Sequence, residues 1–448
     1  MDIFAKDTIA AYATAATSGA VAVLRVSGGD SLRILKALTG RGAFEARHAY
    51  LVKIHDGKDI LDTAVALYYQ GPASYTGEDS FELSVHAGEY IKARLLELVF
   101  LLGARMAEAG EFTMRAYLNG KMDLAQAQGV ADIIAAKNKS AHRAAFNILD
   151  GRLSERFKEI RAGLTELLAK IEVRIDDADD EMAPLPEVET REYIDGIIKK
   201  LEALSSTFSA GRLVKEGIKT AIVGVPNSGK SSLLNALLGF DRVIVSPVSG
   251  TTRDTVDASL RIKDFNLVLT DTAGIRADHA DDAEAQGIER SRKAMNNADI
   301  IIFLADSDLD AKAQADILAQ AQATGKKVLK VLNKTDLKSE GEISQSGEYD
   351  CLISCKSGAG IEALKDKIIE AIGLAKLGDD DILITSAAHY KALKDAEREL
   401  NRAKARLKEL ELMAEHIRSA VLSLRRLIGE ITPDDVLGEI FSKFCVGK

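Results

Sequence analysis

The run GVPNSGKS, from Gly224 to Ser231, has the residue types and spacing of a loop that binds phosphate groups. It follows KTAIVGV, which is typical of a buried strand, and leads into SSLLNALLG, which is typical of a helix. Glycines let backbone N–H groups curl around phosphates, and the helix N terminus adds the positive end of its dipole. We expect Lys230 to reach the β and γ phosphates and the Ser231 hydroxyl to bind magnesium.

The run NKTD, from Asn333 to Asp336, follows the apolar run KVLKVL and indicates which base is bound. A carboxylate at Asp336 can accept hydrogen bonds from the ring N–H and the exocyclic amine of guanine, which adenine does not offer. Such pairing discriminates strongly, because the wrong base leaves it unsatisfied. Ser354 and Cys355, in SCKSG, are expected to place a backbone amide against the guanine oxygen. The sequence therefore predicts a guanine nucleotide site.

Two further runs concern the γ-phosphate and magnesium. DTAG, which begins at Asp271, is expected to sense the γ-phosphate, with Asp271 supporting magnesium indirectly. GTTRD, which begins at Gly250, is expected to provide Thr252 as the second protein ligand of magnesium. Together the four runs predict a GTP-hydrolysing domain. The residues predicted to bind GTP are Asn227, Ser228, Gly229, Lys230, Ser231, Ser232, Ser246, Pro247, Val248, Ser249, Gly250, Thr251, Thr252, Asp271, Thr272, Ala273, Gly274, Asn333, Lys334, Asp336, Ser354 and Cys355.

The catalytic groups depart from those of signalling GTPases. Ile275 follows DTAG, where those proteins have a glutamine that orients the attacking water. The stretch ADDAEAQGIER, just downstream, offers carboxylates instead. The side-chain carbonyl of Asn227 is a candidate ligand for a monovalent cation that stabilises charge on the phosphates; a plain polar loop residue is the alternative. Arg253 is an alternative source of that positive charge.

The elements that position these residues fall into segments that differ in their patterns of apolar and turn-forming residues. Helical runs alternate from Gly217 to Leu374 with four strand-like apolar runs, KTAIVGV, NLVLTDT, DIIIFLAD and KKVLKVLNK. This alternation predicts a Ras-like, doubly wound, mostly parallel sheet (217–374). Residues 1–118 contain strand-like runs separated by turn signals, which predicts an α+β domain. Residues 119–211 and 375–448 have sequence patterns that are typical of helices.

Apolar residues recur in steps of three and four from Leu393 to Ile428. This predicts a helix that packs lengthwise on another helix. The simplest partner is the earlier helical block, which would make the GTPase domain an insertion in a discontinuous helical bundle. A free coiled-coil dimer is the alternative.

The composition is that of an ordinary globular protein, with 448 residues and a net charge of -9, which argues against a basic surface over the whole molecule for nucleic acid. Three cysteines predict a reducing compartment and no disulfide framework, with a metal site at Cys351 and Cys355 as a minor alternative. The N terminus does not have the pattern of a signal peptide, and no apolar run is long enough to span a bilayer. We therefore expect a cytoplasmic protein.

The whole chain resembles the MnmE family of tRNA-modification GTPases, also called TrmE. Three runs outside the GTPase segment carry the resemblance: PASYTGED from Pro72, AGEFTMRAYLNGKMDLAQAQ from Ala109, and FCVGK ending at Lys448. The resemblance implies an N-terminal domain that binds folate and forms a dimer, a discontinuous helical domain and an inserted GTPase domain. The run ATAATSGAVAVLRVSG and the runs VHAG and AGEF depart from the family pattern in loops that shape the folate pocket.

The resemblance also implies roles for individual residues. Glu284 resembles the glutamate that orients the hydrolytic water, and it joins Lys230 among the candidate catalytic residues. Cys445 resembles a cysteine implicated in tRNA modification, with a buried structural thiol beside Phe441 and Phe444 as the alternative. Potassium would be bound by Asn227, Ser246, Val248 and Thr251, and a 5,10-methylene- or 5-formyl-tetrahydrofolate by Arg25, Glu82, Lys121 and Lys448. Without the resemblance, Arg25 and Glu82 would be read as ordinary strand residues.

The implied function is modification of the wobble uridine of certain tRNAs at carbon 5. A flavoprotein partner, GidA (also called MnmG), would supply FAD and use NADH, while a tetrahydrofolate one-carbon unit joins the uracil and glycine or ammonium supplies the amine. Two GTPase domains would pair in the presence of GTP and K⁺, and hydrolysis would act as a conformational switch. The alternative is a regulatory GTPase of ribosome or RNP assembly, for which a basic RNA-binding appendage would be expected.

Overall fold

The computed structural model describes residues 7–15, 19–176, 183–240, 258–269, 284–338, 348–378, 380–430, 434–442 and 444–448. The chain divides into two compact units. The first comprises Met1–Ala131, Ile148–Ile198 and Asp395–Lys448, and the second comprises Asp132–Asn147 and Lys199–Lys394. This division rests on contacts in space, whereas the four predicted segments rest on sequence patterns. The four-segment division therefore stays a prediction.

The described strands and helices are numbered in chain order. The strands are β1 (Ile9–Tyr12), β2 (Val21–Ser27), β3 (Ala49–Asp56), β4 (Asp59–Tyr69), β5 (Ser80–His86), β6 (Arg105–Met106), β7 (Ile218–Val223), β8 (Ala258–Ile262), β9 (Phe265–Leu269), β10 (Ile300–Ala305), β11 (Lys327–Leu332) and β12 (Cys351–Leu352). The helices are α1 (Ser31–Thr39), α2 (Glu89–Leu101), α3 (Glu111–Leu118), α4 (Leu124–Ala135), α5 (Lys139–Leu149), α6 (Arg152–Ile175), α7 (Glu187–Ser206), α8 (Phe208–Glu216), α9 (Lys230–Phe240), α10 (Glu284–Asn297), α11 (Ala311–Ala323), α12 (Ile361–Ala371), α13 (Ala387–Lys404), α14 (Leu410–Leu427) and α15 (Asp434–Phe441).

The first unit contains a sheet with the strand order β3-β4-β5-β2-β1-β6. Its strands pair antiparallel except for β1 and β6, which are parallel. Alternate strand residues point to opposite faces, and α1 and α2 cover one face, where Leu35 and Leu95 are fully buried with Leu24. The opposite face therefore holds the side chains of the intervening residues, among them Arg25 and Glu82.

The second unit contains a sheet with the strand order β12-β11-β10-β7-β9-β8. The apolar runs predicted as strands correspond to β7, β9, β10 and β11, and their parallel pairing agrees with the prediction. Along β10, Ile300 and Ile302 face one core cluster while Ile301 and Phe303 face another. Burial on both faces explains why these strands are continuously apolar. Strand β8, which was not predicted, pairs antiparallel with β9.

The prediction of a single helix from Leu393 to Ile428 was wrong, because the structure has two helices in this range, α13 and α14. Nδ1 of His416 lies 2.9 Å from Oε2 of Glu399, although a continuous helix would separate residues 17 positions apart by about 25 Å. The chain therefore folds back as a helical hairpin. Residue Leu407 in the connecting turn is buried and continues the apolar spacing, so the pattern concealed the break.

Helix α14 packs along α6 within the first unit. Arg418 of α14 forms an ion pair with Glu172 of α6 at 2.9 Å, and Leu164 and Ile417 are fully buried on these two helices. The partner of this part of the predicted helix is thus an earlier helix of the same chain, as the preferred prediction expected, and not a second copy as in the coiled-coil alternative. Among the described residues, no helix combines the length and the apolarity needed to cross a bilayer.

Candidate functional site

The phosphate loop connects the carboxyl end of β7 to the first turn of α9. Gly229 has a φ of 98°, and a Cβ at this residue would lie 2.2 Å from Nδ2 of Asn333. A Cβ at Gly224 would lie 2.3 Å from the carbonyl oxygen of Leu304. Both positions therefore require glycine, and the loop closes tightly against the carboxyl ends of β10 and β11. The N terminus of α9, whose first N–H groups have no partners within the helix, is a favourable place for an anion.

The side chains of the loop fit a phosphate ligand. Nζ of Lys230 donates hydrogen bonds to the carbonyl oxygens of Gly224 and Val225, at 3.1 and 2.9 Å, so the ammonium lies within the loop. Ser228 is completely buried, and its hydroxyl has no hydrogen-bond partner among the described residues. Burying a hydroxyl without a hydrogen-bond partner raises the free energy of the folded protein, and a phosphate oxygen that accepted from Ser228 would remove this unfavourable contribution. Asn227 is exposed and has a φ of 64°.

The predicted base-binding residue Asp336 lies in a short 3-10 turn, Thr335–Leu337, that follows β11. Its Oδ1 accepts a hydrogen bond of 2.6 Å from Oγ of Ser354, and this bond holds the pKa of the Asp336 carboxyl below its usual range. The side chain is exposed and remains ionised at neutral pH. An oriented, ionised carboxylate is an acceptor suited to two N–H donors on one edge of a base.

The side chain of Asn333 connects the phosphate loop to the loop that contains Ser354. Its Nδ2 donates to the carbonyl oxygen of Ser228 at 3.0 Å, and its Oδ1 accepts from the backbone N–H of Cys355 at 3.2 Å. The predicted contact between a backbone amide at Cys355 and the guanine oxygen would therefore share its N–H with Asn333. Burial raises the pKa of the Cys355 thiol to about 11, so this cysteine is neutral at physiological pH.

Several predicted residues lie outside the described part of the chain. They are Ser246, Pro247, Val248, Ser249, Gly250, Thr251, Thr252, Arg253, Asp271, Thr272, Ala273, Gly274 and Ile275. Of the two predicted magnesium ligands, Ser231 is described and lies in the first turn of α9. Glu284 is the first residue of α10, but its side chain falls outside the description. The roles of these residues in binding magnesium, potassium and the hydrolytic water stay predictions.

A second group of predicted residues meets on the sheet face of the first unit that α1 and α2 leave uncovered. Arg25 of β2 lies opposite Glu82 of β5 in the strand register, and their side chains form an ion pair of 2.9 Å. The Arg25 guanidinium also lies over the rings of Tyr75 and Phe112, with its carbon 5.2 and 5.6 Å from their centres. Sequence reasoning assigned no role to these two aromatic residues, although both lie in the quoted runs PASYTGED and AGEF.

The segment FCVGK packs beside the same group of residues. Ala109 and Val446 form an antiparallel bridge, and the backbone N–H of Phe112 donates to the carbonyl oxygen of Lys448 at 3.1 Å. The other predicted lysine, Lys121, is exposed, and its Nζ donates to the carbonyl oxygen of Pro72 at 2.9 Å. Residues far apart in sequence thus surround one surface, which carries the exposed ring of Tyr75, a carboxylate and basic groups, with the buried ring of Phe112 behind Arg25.

The three cysteines have different environments. Cys445 is exposed, unlike its buried neighbours Phe441 and Phe444, so the alternative of a buried structural thiol was wrong. Cys351 is buried, and its Sγ lies 3.8 Å from the carbonyl oxygen of Gly360. Within the described ranges, no group of three or more histidine, cysteine or acidic side chains is arranged to hold a metal.

A glycine-rich loop between a parallel strand and a helix, connected to an Asn-Lys-Thr-Asp turn at the end of another parallel strand of the same sheet, defines a P-loop protein of the GTPase class. A family model described as the MnmE helical domain matches residues 124–445, and one described as the N terminus of the GTP-binding protein TrmE matches residues 8–121. The chain belongs to the MnmE family of tRNA modification GTPases, and it is a GTP-hydrolysing enzyme.

Curated relatives match the chain from end to end. A protein of Aquifex aeolicus is 38% identical over 450 residues, which cover 99% of this chain and 100% of the relative. A protein of Clostridioides difficile is 36% identical over 461 residues and covers 100% of both chains. One of Akkermansia muciniphila is 39% identical over 452 residues, with 98% of this chain and 99% of the relative covered. Each of these proteins is described as tRNA modification GTPase MnmE.

Proposed function

We propose that this cytoplasmic enzyme couples potassium-dependent GTP hydrolysis to the addition of a carboxymethylaminomethyl or aminomethyl group at carbon 5 of the tRNA wobble uridine. The relatives over the full length of the chain are described as tRNA modification GTPases, which supports tRNA as the substrate. The observation that carries the one-carbon chemistry is the clustering of Arg25, Glu82 and the FCVGK segment around Phe112.

In the proposed GTPase site, the described residues bind and orient the nucleotide. Oxygens of the phosphates would take the place of the two loop carbonyls that now accept from Lys230. The carboxylate of Asp336 would accept the two N–H groups on the edge of guanine. Ser231 and Thr252 would hold Mg²⁺, which supplies positive charge to the β and γ phosphates when it is bound.

The hydrolytic step is proposed to use potassium in place of an arginine finger. Asn227, together with Ser246, Val248 and Thr251, would bind K⁺ at the phosphates, and the exposed position of Asn227 at the loop surface supports its part in that set. Glu284 would orient the attacking water, because the position after DTAG is Ile275, which has no polar atom on its side chain. Two copies of the GTPase domain would pair across their nucleotide faces in the GTP-bound state.

The proposed tetrahydrofolate site lies on the uncovered sheet face of the first unit. The ring of Tyr75, which is 36% exposed, is suited to contact a planar pterin, and Glu82 can accept from its N–H donors. Lys121 and Lys448 supply positive charge for the carboxylates of the glutamyl tail. The exposed thiol of Cys445 would act in the modification of uracil, as a nucleophile or as a carrier of the one-carbon unit, and not in GTP hydrolysis.

Two protein partners are proposed. A second copy of the chain would cover the uncovered sheet face, where the cross-strand neighbours Leu51 and Val65 are 78% and 41% exposed. The flavoprotein GidA (MnmG) would form a complex with the protein and supply FAD-dependent redox chemistry with NADH. The net charge of -9 is consistent with a partner that provides most of the tRNA-binding surface.

Reconstitution tests this proposal directly. Purified protein, GidA (MnmG), unmodified tRNA, GTP, KCl, NADH, glycine and 5,10-methylenetetrahydrofolate are combined, and the nucleosides are analysed by mass spectrometry. We expect a carbon-5 adduct on the wobble uridine that disappears when either GTP or the folate is omitted. An adduct that forms without folate would refute the one-carbon source. No adduct under any condition would favour the alternative of a regulatory GTPase in ribosome or RNP assembly.

A further inference from the structure

A buried carboxylate outside the predicted nucleotide-binding residues contacts the NKTD turn. Asp306 follows β10 and is only 1% exposed. Its Oδ2 lies 2.7 Å from Nζ of Lys334 in an ion pair. Lys334 has a φ of 61°, a left-handed conformation that is unfavourable for a residue with a side chain. The surrounding contacts must therefore hold Lys334 in this conformation, and the ion pair is one of them.

Asp306 is itself fixed on several sides. Its backbone N–H donates to Oε1 of Gln314 at 3.0 Å, and its carbonyl oxygen accepts from Nε2 of the same side chain at 2.9 Å. Its Oδ1 accepts from the backbone N–H of Asp308 at 3.1 Å. Burial of a carboxylate is costly unless it is paired, so this arrangement depends on the ammonium of Lys334. Through its ion pair with Asp306, Lys334 is therefore held in place by the end of β10 and by Gln314 of α11.

A second lysine contacts the same segment from the other side of the turn. Lys338 follows the turn Thr335–Leu337, and its side chain is only 6% exposed. Its Nζ lies 3.3 Å from Oδ1 of Asp308 and also contacts Oγ of Ser307. The residues Asp306–Asp308 are thus bound by one lysine before Asp336 and one lysine after it.

We propose that Asp306 is a positioning residue that acts through Lys334 to hold the turn carrying Asp336, and that it thereby sets the affinity and selectivity for guanine. The two lysine contacts restrict the turn on both sides, so the Asp336 carboxylate is presented in one orientation before the base arrives. Ordering a loop before binding removes part of the entropic cost of binding. This inference rests on the proposed contact of Asp336 with the guanine edge.

The test compares GDP with inosine diphosphate, which lacks the exocyclic amine whose N–H would donate to Asp336. In Asp306→Asn we expect the Kd for GDP to rise roughly tenfold or more, as for the loss of one charged hydrogen-bonding contact. We expect the preference for GDP over inosine diphosphate to shrink as well. Asp310→Ala is the matched control, since Asp310 caps α11 through a 2.9 Å bond from the Lys312 N–H and does not contact the turn. This control should lower thermal stability without changing either Kd.

A double-mutant cycle with Lys334→Met identifies the path of the effect. If Asp306 acts through Lys334, adding Asp306→Asn to Lys334→Met will produce little further loss of GDP affinity. Fully additive losses, or an Asp306→Asn variant that binds both nucleotides as the wild type does, would overturn the inference. A wild type that binds the two nucleotides equally would instead refute the proposed contact of Asp336.

If Asp306→Asn fails to fold, Gln314→Met removes the two bonds that fix the Asp306 backbone. This variant should show the same reduced preference for GDP to a smaller degree. An unchanged preference in this variant would overturn the inference.

Discussion

The side-chain amide of Asn333 donates a hydrogen bond of 3.0 Å to the carbonyl oxygen of Ser228. The same amide accepts from the backbone N–H of Cys355, so one buried side chain connects the loop for the phosphates to the loop proposed for the base. A nucleotide that occupies both loops would contact two segments whose spacing is already fixed. Asn333 therefore acts on the geometry of the site, and its described contacts are with protein atoms.

Substitution of Asn333 by alanine should separate the two loops. We expect the affinity of Asn333→Ala for GDP to fall roughly 10- to 100-fold, because two hydrogen bonds of a buried side chain are lost. Titration with a fluorescent GDP analogue measures the change. Asn401→Ala is a suitable control, since Asn401 is exposed and its amide donates to the carbonyl oxygen of Glu397 in its own helix. GDP binding by Asn333→Ala that matches the wild type would contradict the connecting role.

The sequence predicted those parts of the fold and site that depend on local pattern. The continuously apolar runs identified β7, β9, β10 and β11, and the spacing of glycines identified the phosphate loop. The break between α13 and α14 was missed, because Leu407 continues the apolar period and the turn contains neither glycine nor proline. The contacts of Asp306 and Gln314 were also missed, since they depend on which segments the parallel sheet brings together.

The proposed potassium site predicts a specific cation dependence. Hydrolysis by the wild type should fall steeply when K⁺ is replaced by Na⁺, because the larger ion is expected to fit the set that includes Asn227. In Asn227→Ala the rates in the two salts should become similar, while GDP affinity changes little. A phosphate-release assay at matched ionic strength measures both effects. Equal rates in the two salts for the wild type would exclude Asn227 from this role.

The ion pair of Arg25 and Glu82 should determine folate binding without affecting GTP hydrolysis. Arg25→Met retains packing volume between the Tyr75 and Phe112 rings but removes the charge that pairs with Glu82. We expect binding of 5-formyltetrahydrofolate, measured by calorimetry, to weaken about tenfold or more. Arg33→Met is the control, because its ion pair with Asp30 is exposed and contributes little. Unchanged folate binding in Arg25→Met would argue for an ordinary structural ion pair.

The cysteines should differ in their rates of alkylation. At pH 8 we expect iodoacetamide to label the exposed Cys445 first. Since the pKa of Cys355 is raised to about 11, its reactive thiolate is only about 0.1% of the total at pH 8, and labelling should accelerate as the pH rises toward that value. Burial also raises the pKa of Cys351. Peptide mass spectrometry of timed samples follows each site, with denatured protein as the control. Equal rates for Cys355 and Cys445 in the folded protein would contradict these environments.

The central claim, that the GTPase acts in tRNA modification, is tested most directly by mass spectrometry of tRNA nucleosides from cells lacking this protein. The same cells are examined again after the wild-type gene is restored. We predict that the carbon-5 aminomethyl-type wobble uridine disappears in the deletion and returns with the wild-type gene. Wobble uridines that are unchanged in the deletion would contradict the proposed function and leave a GTPase with a different cellular task.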